Sequence, residues 1–411
     1  MKRSTSKKTP ENARAKAGRK ATRVRVKRLS NSTQSKSKRK NSAIQKSPTH
    51  STAGLAISNS PGVELAENNL LFLIGAGCSV TAGIKMANQM VDDIERFVKE
   101  KKDWQPFSDL YYYIKSAILY ADGITGSFTT SLNVERLVLV LSELGKKEQN
   151  VVYPFIGNWN TRLMEVAGSG FTQIKAFQER IKMQLFEWIN IGDFSAAEYY
   201  TGFSRFKKEF GYPIRIFSFN YDLCIEEVIK DLNIELGFDQ KTKEWLYSNF
   251  DPNEDRDIDI YLYKLHGSID WERATEKGNV LVKRTHPKQE SELIFGTEAK
   301  LTSTDPYLYD VFEFRKYSLH EGCKLLIVIG YSFGDDYMNK LISQALSASQ
   351  QRNVLIIDLN PELLKQSFVV KYGVDEKQVK TWTGSADVFL KNELSLTFLT
   401  PYLPISSESP F

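Results

Sequence analysis

Residues 70–86 read LLFLIGAGCSVTAGIKM, and this stretch decides the fold class. Its five leading apolar residues run without a break into Gly75-Ala76-Gly77. Such a run is typical of a buried parallel strand, because a strand covered on both faces does not alternate. The residues from Cys78 to Met90 are small and polar and then compatible with a helix. We therefore predict the first βα unit of a nucleotide-binding sheet, in which glycines let the backbone approach a pyrophosphate at a helix N-terminus.

The glycine turn has neither a complete dinucleotide fingerprint nor a Walker motif. Val80 stands where the third glycine of G-x-G-x-x-G falls, and no lysine-hydroxyl pair follows the turn. A tight strand-to-helix turn that holds no ligand would have the same sequence. The prediction of a ligand site therefore depends on the residues downstream.

The composition bounds the class of protein. With 411 residues, 41% hydrophobic and 26% charged, the chain fits a soluble protein of two or three domains, or one α/β domain with a large insertion. No apolar run approaches the ~20 residues that cross a bilayer, and no signal peptide is recognisable. Cys78, Cys224 and Cys323 lie too far apart for a disulfide framework or a CxxC zinc ribbon. We therefore expect a cytoplasmic protein with no membrane contact and no metal.

Charge is distributed unevenly along the chain. Residues 1–50 contain 17 Lys and Arg against one acid, Glu11, whereas the remaining residues contain 38 Lys and Arg against 49 Asp and Glu. Because the N-terminal stretch also lacks large apolar side chains, we expect residues 1–60 to be a disordered basic tail. Such a tail either binds nucleic acid through its phosphates, or only keeps the chain soluble, or reflects a start codon placed too far upstream.

Helical periodicity dominates the next part of the chain. Residues 133–144 place apolar side chains at 134, 137, 138, 141 and 144, which is one face of a helix. Comparable patterns predict helices over Met86–Val98, Phe107–Tyr120, Phe171–Ile189 and Ala196–Phe210. None of these segments carries a chemical constellation. We therefore predict that residues 87–210 form a helical subdomain inserted after the first βα unit.

Further along the chain, strand-like apolar runs return, and small or polar residues follow each of them. The runs are Pro213–Phe219, Tyr261–Leu265, Lys324–Ile329 and Val354–Leu359, followed by Asn220-Tyr221-Asp222, His266-Gly267-Ser268, Gly330-Tyr331-Ser332 and Asn360-Pro361. In open α/β sheets, ligands bind at the carboxyl ends of the strands. The sequence therefore predicts a Rossmann-like parallel sheet formed by residues 61–86 and 211–400, with one crevice that gathers these strand ends.

Three polar side chains at these ends can take part in chemistry. His266 can accept a proton at neutral pH, although a histidine that only caps a turn would look the same. The Asn220 amide can orient a water molecule or a ribose hydroxyl. Asp222 can accept a hydrogen bond from a hydroxyl, but Asp is also a favoured cap for a helix, which we predict over Leu223–Leu232.

Together the motifs resemble the NAD-binding core of sirtuins, in the same chain order, over roughly residues 68–90 and 212–365. The resemblance implies that a glycine-containing segment wraps the diphosphate and the nicotinamide ribose: Gly75, Ala76, Gly77, Cys78 and Ser79. It implies that the segment from Ser218 to Asp222, with Asn220 and Tyr221, lines the nicotinamide pocket. His266 would be the general base, acting through the ribose hydroxyl. Gly330, Ser332 and Asn360 would hold the adenosine side.

The chain also departs from deacylating sirtuins. Three scattered cysteines cannot form their four-cysteine zinc module, and Lys85-Met86-Ala87-Asn88 replaces the Pro-x-Phe-Arg segment. The phrases Leu265–Ser268 and Gly330–Asp335, together with the helical insertion, are similar to those of the sirtuin-like branch found in bacterial anti-phage systems. Members of that branch hydrolyse NAD to nicotinamide and ADP-ribose when infection is sensed. They act with a translocase-type ATPase, an Argonaute protein or a sensor domain.

The resemblance thus implies a cytoplasmic NAD+ hydrolase, an abortive-infection effector that takes NAD as substrate and needs no metal. His266 would act as base, Asn220 would orient water or ribose, and Asp222 would support them. No sensor domain is recognisable after Asn360, so we expect a homo-oligomer, a companion protein encoded nearby, or both. Two other classes stay open: an ADP-ribosyltransferase or deacylase without the zinc module, and a sensor that binds NAD or ADP-ribose without turnover.

Overall fold

A computed structural model describes residues 65–126, 132–146, 161–251, 256–274, 279–287 and 306–404. The predicted basic tail, residues 1–60, lies outside these ranges. Within them, no helix combines the length and the apolar character that a membrane span requires.

The described strands form one parallel sheet and one hairpin. The sheet contains β1 (Leu70–Ile74), β2 (Ile214–Ser218), β3 (Ile234–Glu235), β4 (Ile260–Lys264), β7 (Leu325–Ile329), β8 (Asn353–Asp358) and β9 (Val379–Thr383). The hairpin pairs β5 (Trp271–Ala274) with β6 (Val280–Lys283) in antiparallel fashion. The sheet order is β3-β4-β2-β1-β7-β8-β9, and every pairing in it is parallel. The predicted Rossmann-like α/β fold is confirmed.

Helices connect and cover these strands. Between β1 and β2, the described residues form α1 (Ala87–Glu100), α2 (Ser108–Thr125), α3 (Val134–Gly145), α4 (Thr161–Ala167), α5 (Thr172–Ile189) and α6 (Gly202–Phe210). Those after β2 are α7 (Cys224–Val228), α8 (Tyr307–Leu319), α9 (Asp336–Ala348), α10 (Pro361–Tyr372), α11 (Ala386–Val388) and α12 (Leu396–Leu399). The large helical insertion expected from the sequence is therefore present, and α1, α2, α3 and α5 lie where periodicity predicts them.

The central strand β1 is apolar throughout because both faces of the sheet are covered. Leu70, Phe72 and Ile74 face one hydrophobic core, which α6 and the C-terminal segment complete. Leu71 and Leu73 face a second core, formed with α8 and α9. Each β1 side chain is at most 2% exposed. Burial of apolar surface stabilises the folded state by roughly 25 cal/mol per Å². This two-sided burial is therefore the main favourable contribution of β1 to the free energy of folding.

A third hydrophobic core lies among the inserted helices. Trp104 and Phe177 are fully buried there, with ring centroids 6.3 Å apart. Leu223 and Ile269, which belong to the loops after β2 and β4, are part of the same cluster. The inserted helices therefore pack directly on loops at the carboxyl edge of the sheet.

Several sequence expectations are wrong in detail. No α-helix follows the glycine turn at once, because a 3-10 turn, Ala76–Ser79, comes first and Gly83 then adopts a left-handed φ of +92°. The first α-helix begins at Ala87, one residue after the predicted start at Met86. The helix predicted over Leu223–Leu232 spans Cys224–Val228, and Ala196–Phe210 begins as a 3-10 helix up to Thr201. The edge strands β3 and β9 and the β5–β6 hairpin were not anticipated.

We predict that Gly330→Ala destabilises the protein far more than Gly373→Ala. Both glycines have a left-handed φ, +60° and +64°. A Cβ at Gly373 would meet open space, so only backbone strain of about 1 kcal/mol is expected. A Cβ at Gly330 would lie 2.4 Å from the Cys78 nitrogen, which adds about 2 kcal/mol or more. Free energies of unfolding in urea measure the difference, and equal losses would contradict the close approach.

Candidate functional site

The carboxyl ends of four adjacent strands are held in register by backbone hydrogen bonds. Phe219 N donates to Ile74 O at 3.0 Å, and Leu265 N donates to Ser218 O at 2.8 Å. On the other side of β1, Gly75 N donates to Ile329 O at 3.0 Å. The loops that follow β1, β2, β4 and β7 therefore leave the sheet side by side, which is the arrangement the sequence predicts for a ligand crevice.

Three glycines allow the loops after β1 and β7 to touch. Gly77 N donates to Gly330 O at 2.9 Å. A Cβ on Gly75 would lie 2.7 Å from Gly330 O, and one on Gly77 would lie 2.8 Å from the same atom. Side chains at these positions would therefore separate the two loops. The structure brings together Gly75, Gly77 and Gly330, as the prediction of one crevice requires.

The Ser79 hydroxyl joins three elements beneath this turn. It donates to Asp222 Oδ2 at 2.8 Å and accepts from Asn220 Nδ2 at 3.0 Å. The Tyr200 hydroxyl lies 2.8 Å away and donates to it, because the serine proton is committed to the carboxylate. Burial raises the pKa of Tyr200 well above its usual value, so the phenol keeps its proton. One fully buried hydroxyl thus uses its donor and both acceptor positions.

Asn220 has one polar atom that its neighbours do not satisfy. Its Nδ2 is held by Ser79, whereas Oδ1 is buried and has no hydrogen-bond partner among the described residues. The residue is only 6% exposed. A buried carbonyl oxygen without a partner costs about 1–3 kcal/mol, so its persistence suits a group that accepts from a ligand hydroxyl or a water.

Asp222 acts both as a cap and as a link. Its Oδ1 accepts from Cys224 N at 3.0 Å, at the first residue of α7, while Oδ2 holds Ser79. Asp222 therefore accepts from a hydroxyl, as one alternative requires, and it also holds the first residue of the helix, although the N-cap residue is Leu223.

His266 lies in a mostly aromatic environment next to these groups. Its ring contacts Phe219 edge-on, with centroids 4.9 Å apart, and lies 5.9 Å from the Tyr221 ring. Phe219 in turn stacks on Tyr331 at 4.6 Å. His266 is 4% exposed. Two rings that follow β2 therefore border the imidazole, and Tyr331, after β7, supports one of them, Phe219.

A buried ion pair supports the loops from below, and sequence reasoning missed it. Lys264, the last residue of β4, donates to the Asp222 carbonyl oxygen and to Glu226 Oε1. Burial alone would lower the pKa of Lys264, but the carboxylates of Glu226, Asp222 and Asp270 hold it above its usual value. Burial raises the pKa of Glu226 although Lys264 opposes the shift. A lysine inside the apolar run YLYKL was the available signal, because a buried charge needs partners.

The cysteines at the site are not poised as nucleophiles. Cys78 is buried and burial raises the pKa of its thiol to about 12, which keeps it protonated. Burial likewise raises the pKa of Cys224. Among the described residues, no group of His, Cys, Asp and Glu is arranged to hold a metal ion.

The remaining predicted contacts are more peripheral. Ala76 lies in the 3-10 turn, whereas Ser332 and Asn360 are exposed at the ends of β7 and β8. Asn360 N donates to Asp358 Oδ1, a local contact. A separate cleft of about 280 Å³ lies elsewhere, lined by residues of the β5–β6 hairpin and of the segment before it: Trp245, Leu246, Tyr247, Arg273, Asn279, Val280 and Leu281. None of the predicted site residues lines it.

One comparison with known proteins bears on this site. The family model of the SIR2-like domain matches residues 214–376, which is less than half of the chain. The match begins at β2 and includes Asn220, His266 and Gly330, but not the glycine turn after β1. SIR2-like domains are NAD-dependent enzymes. No curated protein matches the chain.

We predict that Ser79→Ala lowers the free energy of unfolding by about 3 kcal/mol, whereas Tyr200→Phe lowers it by about 1 kcal/mol. The alanine leaves the Asp222 carboxylate and the Asn220 amide without their shared partner in a buried site. The phenylalanine removes one hydrogen bond and keeps the other two. Urea unfolding of both variants measures the difference. A loss in Ser79→Ala no larger than that in Tyr200→Phe would show that the hydroxyl does not join the three elements.

Proposed function

We propose that the chain is an NAD glycohydrolase, which cleaves NAD+ to nicotinamide and ADP-ribose. The observation that carries the proposal is the placement of Asn220 and His266. Each stands two residues beyond the last paired residue of its strand, on neighbouring strands, next to the glycine turn. An uncharged amide with an unsatisfied oxygen and an imidazole therefore share one edge of a domain type that uses NAD.

The chemistry needs few groups, because the leaving group is already activated. The bond between C1′ of the ribose and the pyridinium nitrogen breaks, and its electron pair neutralises the ring as nicotinamide leaves. A water oxygen bonds to C1′, and the proton released passes to a base and then to solvent. His266 is the candidate base, and Asn220 Oδ1 is the candidate acceptor that orients the water or a ribose hydroxyl. Placement alone can supply about 7–11 kcal/mol, so no covalent residue is required.

Activation by assembly or by a partner is part of the proposal. Ser79, Asn220 and His266 are each at most 6% exposed, so a dinucleotide reaches them only after the surrounding loops move. This burial supports a resting state that self-association or a companion protein opens, such as a translocase-type ATPase or an Argonaute. Such control suits an abortive-infection effector in anti-phage defence. The 17 basic residues among residues 1–50 support nucleic-acid contact through the tail.

We expect His266→Ala and Asn220→Ala each to lower nicotinamide release by about 100-fold or more, because each removes a group that we assign to the reacting centre. His320→Ala is the matched control, since this exposed histidine precedes β7 at the opposite edge of the sheet. Purified full chain is incubated with NAD alone, and nicotinamide and ADP-ribose are quantified by chromatography. Thermal unfolding confirms that each variant is folded.

The same assay separates the competing classes. Equal amounts of nicotinamide and free ADP-ribose, formed without an acceptor, support the glycohydrolase. ADP-ribose attached to protein would instead indicate a transferase. Tight NAD binding in a calorimeter without nicotinamide release would indicate a sensor. Full turnover by folded His266→Ala would reject the assigned base.

A further inference from the structure

A carboxylate from the loop after β7 faces the candidate base. Asp335 Oδ2 lies 3.9 Å from His266 Nε2, and both side chains are nearly buried, with 11% and 6% exposure. Asp335 is 69 residues from His266 in sequence and belongs to a different strand end. In the sequence it is the last residue of the phrase Gly330–Asp335, but no pattern there pairs it with His266.

The two oxygens of this carboxylate have separate tasks. Oδ1 accepts from Tyr337 N at 3.0 Å and from Met338 N at 3.1 Å, so it caps the N-terminus of α9. Oδ2 is the oxygen that faces the imidazole. A helix cap needs only one acceptor oxygen, which an asparagine supplies equally well. The negative charge next to His266 is therefore more than the cap requires.

The loop that carries Asp335 is rigidly held. Asp335 N donates to the Tyr331 hydroxyl at 3.1 Å, and that hydroxyl donates to Asn339 Oδ1 at 3.0 Å. The Tyr331 ring stacks on Phe219, whose edge meets His266. The carboxylate and the imidazole are thus fixed to each other through one ring stack and one hydrogen-bonded turn.

We infer that Asp335 is a positioning residue for His266. It orients the ring through Nε2 and stabilises the imidazolium that forms when the ring takes up a proton. This inference rests on the proposed function, because it concerns the same site. A carboxylate beside an imidazole favours the protonated ring and fixes its orientation. With Nε2 turned to Asp335, Nδ1 is the nitrogen that accepts the substrate proton. The two atoms are 3.9 Å apart, and we expect this separation to shorten to a hydrogen bond when the substrate is bound.

Other titratable groups lie around this ring. Tyr221 contacts the imidazole and is partly buried, whereas Tyr331 is buried behind Phe219. Burial raises the pKa of both phenols, so they remain neutral at neutral pH. Glu135, at the start of α3, acts electrostatically on both phenols. Asp335 differs from these groups in bringing a negative charge close to the imidazole nitrogen itself.

Asp335→Asn tests the inference, because it removes the charge and keeps the cap. Asp375→Asn is the matched control, because Asp375 is also a cap: its side chain accepts from Lys377 N at the turn Glu376–Gln378. That turn precedes β9 and carries none of the candidate site residues. We expect Asp335→Asn to lower kcat for NAD hydrolysis about tenfold or more, with KM changed by less than about twofold. Asp375→Asn should leave both constants unchanged. Equal melting temperatures for wild type and Asp335→Asn would show that the cap survives.

A second readout is independent of turnover. With ¹³C-labelled histidine, the four histidine signals of the full chain are titrated by NMR, and His266 is assigned by its loss in His266→Gln. The midpoint of His266 should move to lower pH in Asp335→Asn and stay in place in Asp375→Asn. An unchanged midpoint would overturn the inference whether or not the chain hydrolyses NAD. If wild type releases no nicotinamide while the midpoint moves, the glycohydrolase proposal fails and the pairing of Asp335 with His266 stands.

Discussion

The contact between the loops after β1 and β7 is the constraint on which the candidate site depends. Gly77 N meets Gly330 O at 2.9 Å, and hypothetical Cβ atoms on Gly75, Gly77 or Gly330 would all collide with backbone. The two loops can approach this closely only because these three positions carry no side chain. The contact fixes the position of the turn after β1, which continues into Cys78 and Ser79. That path places the Ser79 hydroxyl under the loop after β2, where Asn220 and Asp222 need a partner.

Most polar groups around Ser79 and Lys264 are hydrogen-bonded to one another, which explains how they can be buried. Ser79 satisfies three partners at once, and Lys264 satisfies both the Asp222 carbonyl and Glu226. Breaking a buried ion pair costs about 3–5 kcal/mol, because the remaining charge stays unpaired. Against this background Asn220 Oδ1, which is buried and has no hydrogen-bond partner among the described residues, is an exception next to the glycine turn. Unpaired buried groups concentrate where a protein meets its ligand, so the exception coincides with the proposed chemistry.

Local sequence was sufficient to predict an element wherever one short pattern determines it. Leu70–Ile74 begins and ends where predicted, because burial on both faces sets its composition and glycine ends it. The strand ends carrying Asn220 and His266 were recognisable for the same reason. The interruption before α1 was not, because it depends on the left-handed Gly83. Tyr200 was not singled out, and Asp335 was recognised only as the last residue of the phrase Gly330–Asp335. Their partners are distant in sequence, and only tertiary packing brings them together. The edge strand β9 was missed because most of its residues are only partly buried, so the segment carries little apolar signal.

The register of the sheet determines whether the candidate groups can act together at all. Ile74 pairs with Ser218 on one side and with Ile329 on the other, and Ser218 pairs with Lys264. Asn220 and His266 are therefore at the same offset beyond this row, two residues past it. A slip of one residue would shift a strand end by about 3.3 Å and turn its side chains to the opposite face. Strand ends recognised in the sequence predict that these residues share an edge, but only the hydrogen-bonded row makes them neighbours.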